Sequence, residues 1–111
     1  MSERIETTAI RNLIHNEEYC RKVLPFIKEE YFTDRLEKLI FTEIYKFVNK
    51  YNNLPTKESL SIEMNTNKGV SEDEYKKMNE IISSLNPEPI NLDWLVETTE
   101  VWCKDRAIHN A

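Results

Sequence analysis

Asp34-Arg35-Leu36-Glu37-Lys38-Leu39-Ile40-Phe41-Thr42-Glu43-Ile44-Tyr45-Lys46-Phe47-Val48-Asn49-Lys50-Tyr51-Asn52-Asn53 runs without a Gly or a Pro. Leu36, Ile40, Ile44, Phe47, Val48 and Tyr51 recur at three- and four-residue intervals, the period of an α-helix. Asp34 stands where an N-cap is wanted. Leu39 and Phe41 widen the stripe until, at about 100° per residue, it covers more than half of the circumference. A stripe that wide needs neighbours on several sides. The segment is therefore expected to be the central core helix of an all-α fold.

Upstream, Ile5, Ala9 and Leu13, with Ile10 and Ile14 beside them, give a helical period from about Glu3 to His15. Asn16 can cap a second helix, Glu17 to Leu24, whose acidic first turn suits the positive end of a helix dipole. Pro25 closes it, because its ring and missing N–H oppose continuation. Tyr31 and Phe32 then lead into Asp34.

Downstream, Asn52, Asn53 and Pro55 break the chain, and Thr56 caps a short helix holding Leu60, Ile62 and Met64. Val70-Ser71-Glu72-Asp73-Glu74-Tyr75 opens the next one. Ser71 and Glu74 have capping-box spacing, and Val70 and Tyr75 occupy the two positions of a hydrophobic staple. This helix reaches Leu85 with Tyr75, Met78, Ile82 and Leu85 on one face. Asn86-Pro87-Glu88-Pro89 ends it, since each Pro pushes its predecessor out of the helical region.

Asn91 or Asp93 starts a last helix that is still running at Ala111, where neither Gly nor Pro stops it. The chain therefore reads as the front of a longer protein. Trp94, Leu95, Val101, Trp102 and Ile108 form one broad stripe on this helix. Val96, Cys103 and Ala107 form a smaller one nearly opposite. A helix apolar on both sides is buried on both sides. The expected architecture is thus about six helices, a small globular helical part over 1–70 and a C-terminal helical hairpin over 71–111. Tyr75, Met78, Ile82, Leu85, Val96, Trp102, Cys103 and Ala107 are the candidate protein-interface residues of that hairpin.

Composition narrows the function. The chain has 111 residues and a single Gly, Gly69, and strand-and-turn folds spend Gly at tight turns. A net charge of −5 and the lack of a basic stripe argue against direct nucleic-acid binding. Arg21 with Lys22 and Lys76 with Lys77 read as solvated faces. No apolar run approaches the ~20 residues of a membrane span, and MSERIETT lacks the apolar core of a signal peptide. Cys20 and Cys103, with no CxxC, suit reduced thiols in the cytoplasm.

No catalytic residue, cofactor or metal is expected. A phosphate loop of the form GxxxxGK[ST] needs two Gly, and only one is present. On helices, His15 and Cys20 would sit about 140° apart and Cys103 and His109 about 120° apart, so neither pair shares a face as zinc ligands would. The carboxylates fall in first turns or at exposed helical positions, where capping and solubility account for them. No Ser, Cys or Thr has a His and an acid nearby in sequence to make a nucleophile.

Several stretches resemble the N-terminal domain of the DnaB-type replicative helicases, in the branch found in T-even-like bacteriophages. They are Leu13-Ile14-His15-Asn16-Glu17-Glu18-Tyr19, Lys22-Val23-Leu24-Pro25-Phe26-Ile27-Lys28, Glu30-Tyr31-Phe32, and Tyr51-Asn52-Asn53-Leu54-Pro55-Thr56. The tail Trp102-Cys103-Lys104-Asp105-Arg106-Ala107-Ile108-His109-Asn110-Ala111 resembles the approach to that family's interdomain linker. The resemblance implies an all-α collar domain whose copies pair through their hairpins, stabilise a hexameric ring, and dock the primase and the loader. It also implies that ATP, Mg and most DNA contact belong to a C-terminal domain of a longer parent. Cellular members carry a paired-Gly segment before the hairpin; Asn67-Lys68-Gly69-Val70 stands there in this chain. The rival reading is a stand-alone helical adaptor or inhibitor that binds a host or phage partner.

Overall fold

The computed structural model of the chain describes residues 4–109. The expected helical start at Glu3 and the run to Ala111 lie outside them. Among the described residues are six α-helices and no strand: α1 Ile5–His15, α2 Glu17–Val23, α3 Arg35–Tyr51, α4 Lys57–Asn65, α5 Glu72–Ser84 and α6 Leu92–His109. A single 3₁₀ turn, Glu29–Tyr31, stands between α2 and α3.

Local chemistry sets the helix ends. Asn16 serves two helices at once. Its backbone N–H donates to Asn12 O at 2.8 Å to close α1, and its side-chain oxygen accepts from Tyr19 N at 3.0 Å to open α2. Asn52 takes the left-handed conformation that ends α3, at φ 56°, a geometry Asn tolerates better than most residues. Thr56 with Ser59, and Ser71 with Glu74, form reciprocal capping boxes at α4 and α5. Asn91, rather than Asp93, caps α6 by accepting from Trp94 N at 2.9 Å. Asp34 occupies the N-cap position of α3 without a side-chain capping bond.

α3 is the central helix. It packs against α1, the 3₁₀ turn, α4 and α5, which is why its apolar stripe is so wide. Ile40, Phe41 and Ile44 sit at the heart of the core. Glu37, on the same helix, is also buried; its carboxylate accepts from Arg4 and from Thr7, each at 2.7 Å, and so clamps α1 to α3. Glu43 is buried too, 3.3 Å from Asn67 Nδ2. Glu37 falls in the first turn of α3, as expected of the carboxylates, but is buried there, whereas Glu43 is buried in mid-helix and departs from the expectation of first-turn or exposed positions.

The second half of the chain also departs from expectation. α5 packs on α3 and α4, whereas α6 packs on α1, α2 and the 3₁₀ turn. The two helices do not fold back on each other as a hairpin. Met78 and Ile82 from α5 and Leu85 just after it join Leu95, Trp102 and Cys103 from α6 in one core with residues of α1 to α4, the single core expected of one domain. The physical reason lies between them. Pro87 and Pro89 keep residues 86–91 out of helical conformation, and six extended residues span up to about 20 Å. That reach carries α6 away from α3 and α4, where α5 lies, and onto α1 and α2.

Candidate protein interface

The candidate interface residues fall in three environments. Met78, Ile82, Leu85, Trp102 and Cys103 are buried in the chain's own core, although Cys103 also reaches the wall of a surface groove. Tyr75 and Val96 are half-buried against that core. Ala107 alone is exposed. This distribution follows from α5 and α6 each finding a host within the globule.

α6 accounts for most of the difference. Leu95, Thr99, Trp102 and Cys103 point inward. Trp102 meets the rings of Tyr31 and Phe32 edge-on, at centroid distances of 6.3 and 5.2 Å. Thr99 is the member that an apolar count passes over. Its hydroxyl donates to Leu95 O at 2.8 Å and lies 2.8 Å from Tyr19 Oη, so its polarity is satisfied inside the core. With Thr99 counted as apolar, Leu95, Thr99, Trp102 and Cys103 form a clean inward stripe.

The expected stripe of Trp94, Leu95, Val101, Trp102 and Ile108 therefore splits in two. Neighbouring residues on a helix stand about 100° apart, and Leu95 and Trp102 leave Trp94 and Val101 facing outward. Trp94 is 53% exposed, Val101 67% and Ile108 74%. They are spaced by seven and make one straight apolar seam on the outer face of α6. Isolated exposed apolar residues need no explanation, but an aligned row on one helix is the form an interaction site takes.

A groove of about 420 Å³ lies on the adjoining flank, lined by Phe26, Tyr31, Glu100, Cys103, Lys104 and Ala107. Phe26 protrudes from the turn after α2, where Pro25 ends the helix. Its signal in the sequence is the Pro-Phe pair that follows Leu24.

Among the described residues no reactive constellation comes together. Burial pushes the Cys103 and Cys20 thiols up to about 11, so both remain protonated at neutral pH. Burial likewise raises Tyr19 above its usual range. His15 Nε2 donates to Leu85 O at 2.6 Å and thereby ties the end of α1 to the end of α5. His109 lies 3.5 Å from Asp105 one turn back. Among the described residues no three His, Cys, Asp or Glu side chains are placed to hold a metal ion, and no helix is long and apolar enough to cross a membrane.

No family profile matches the chain. Over 102 residues, 92% of its length, it is 33% identical to a DnaB-like replicative helicase of Enterobacteria phage T4. The chain spans 21% of that protein's length. Along nearly all of its own sequence, the chain is thus a relative of one part of a DnaB-like replicative helicase.

Proposed function

We propose that this chain is the N-terminal interaction domain of a phage replicative DNA helicase, working in DNA replication in the host cytoplasm. In this reading it contributes to a collar that supports ring assembly and offers a docking surface for primase or loader. ATP and Mg belong to a separate domain of the parent. The similarity to a DnaB-like replicative helicase over almost the whole chain carries the reading. The outward seam of α6 and the groove beside Phe26 add to it, because they are apolar surfaces with no catalytic group between them.

The experiment is excision. A helicase carrying this domain should keep its ATPase when residues 1–111 are removed and should lose its binding to primase. Retained primase binding would overturn the docking role. A gene that encodes the chain alone, with no phosphate loop in frame after it, would favour the stand-alone adaptor.

A further inference from the structure

We infer that the second half of α6, residues 100–109, is a latch: it swings away from the globule about a hinge at Thr98 and Thr99 and bares Trp102, Tyr31 and Phe32. The inference goes beyond the interaction-domain reading and stands or falls apart from it.

Local chemistry sets the hinge. Thr98 and Thr99 are adjacent β-branched residues in mid-helix, where restricted side-chain rotamers lower helix propensity. The Thr99 hydroxyl also donates to Leu95 O at 2.8 Å, four residues back, a bond that weakens a helix slightly and favours a bend. Tyr19 fastens α6 at this same point, with its hydroxyl 2.8 Å from Thr99 Oγ1.

Beyond the hinge the seat is incomplete in two places. The groove of about 420 Å³ runs along the seam, with Glu100, Cys103, Lys104 and Ala107 on one wall and Phe26 and Tyr31 on the other. Side chains across such a gap forfeit dispersion contacts. More than about 100° further round the helix stand Trp102 and Arg106, one turn apart. Trp102 Nε1 and Arg106 Nε are buried with no hydrogen-bond partner among the described residues. A buried donor without an acceptor has lost water and gained nothing for it, and opening returns both groups to water. Elsewhere side-chain bonds fasten helix to helix, as Glu37 does for α1 and α3 and Glu74 for α3 and α5. His109, by contrast, bonds Asp105 within α6 itself. The closed form therefore rests chiefly on Trp102 against the rings of Tyr31 and Phe32.

Cys103 lies in the latch and reports its motion, and Cys20 in α2 is the control. Both thiols are buried and both are raised to about 11, so the supply of thiolate is alike at a given pH. The folded chain is treated with a thiol reagent in excess, and peptide mass spectrometry assigns each adduct. Cys103 should react roughly ten-fold faster than Cys20 or more, at a rate nearly independent of dilute urea, because a local opening exposes little surface. Arg106→Met keeps an unbranched stem and the helix propensity but removes the stranded donor. It should slow Cys103 roughly ten-fold and leave Cys20 unchanged. Reaction of the two cysteines in step, with one shared urea dependence, would overturn the latch. An Arg106→Met chain whose Cys103 reacts at the wild-type rate would also overturn it, since the groove would then admit the reagent with no opening. A faster reaction in that variant would overturn it as well, by showing that Arg106 holds α6 down.

Discussion

Tyr19 Oη lies 2.8 Å from Thr99 Oγ1 inside the core, and this contact joins α2 to α6 across 80 residues of sequence. Because the Thr99 hydroxyl donates to Leu95 O, Tyr19 must be the donor to Thr99. The direction gives the two partners unequal weight. Tyr19→Phe removes one hydrogen bond and leaves Thr99 satisfied, at a cost of about 0.5–1.5 kcal/mol. Thr99→Val strands a buried phenol and should cost about 1–3 kcal/mol. The double variant should be less unstable than Thr99→Val with an additive Tyr19→Phe loss. Urea midpoints for the three proteins check the order, and a milder Thr99→Val would contradict the donor assignment.

At the head of α5, Glu74 N donates to Ser71 Oγ at 3.1 Å and Ser71 N donates to Glu74 Oε1 at 3.2 Å. Ser71→Ala should cost about 0.5–2 kcal/mol by taking the acceptor from an orphan N–H. Val70→Ser should cost less, since it weakens only the apolar staple. Equal denaturation midpoints for Ser71→Ala and wild type would contradict the capping role.

Glu74 also pairs with Arg35 at 2.7 Å, which ties the start of α5 to the start of α3. The hydrogen bond from Arg35, followed by that from the Ser71 backbone, holds the Glu74 carboxyl below its ordinary value. A carboxyl depressed in the folded state adds stability above its unfolded pKa and loses it as the pH falls through its folded pKa. Wild type should therefore lose more stability than Glu74→Gln as the solution is acidified from neutrality through the carboxylate range. Thermal melts at a series of pH values read this, and parallel profiles would contradict it.

Core and surface on the last two helices separate by substitution. Ile82 is buried and Val101 is exposed. Ile82→Ala should cost about 2–5 kcal/mol, as large-to-small changes in a core do. Val101→Asp should change stability by no more than about 0.5 kcal/mol. The reverse order in chemical denaturation would contradict the placement of α5 and α6.

The helices and most of their ends were legible in the sequence because caps and periodicity are local. Asn16, Thr56 and the Ser71–Glu74 pair each act within four residues. What was not legible is where α5 and α6 go. Two adjacent amphipathic helices read as a hairpin, but the extended link through Pro87 and Pro89 leaves that choice to the whole core. The same step decides which apolar residues are left at the surface. Met78, Ile82 and Trp102 look available on an isolated hairpin and are consumed by the globule, whereas Trp94, Val101 and Ile108 are left outside it. Glu37 was hidden for a related reason, since its partners Arg4 and Thr7 lie on a helix distant in sequence.

Ring assembly tests the interaction-domain account most directly. Native mass spectrometry of the parent helicase, with and without residues 1–111, reads the hexamer fraction across a dilution series. The account predicts that the truncated protein falls apart at concentrations where the full-length ring persists. Identical dissociation of the two proteins over the whole series would contradict it.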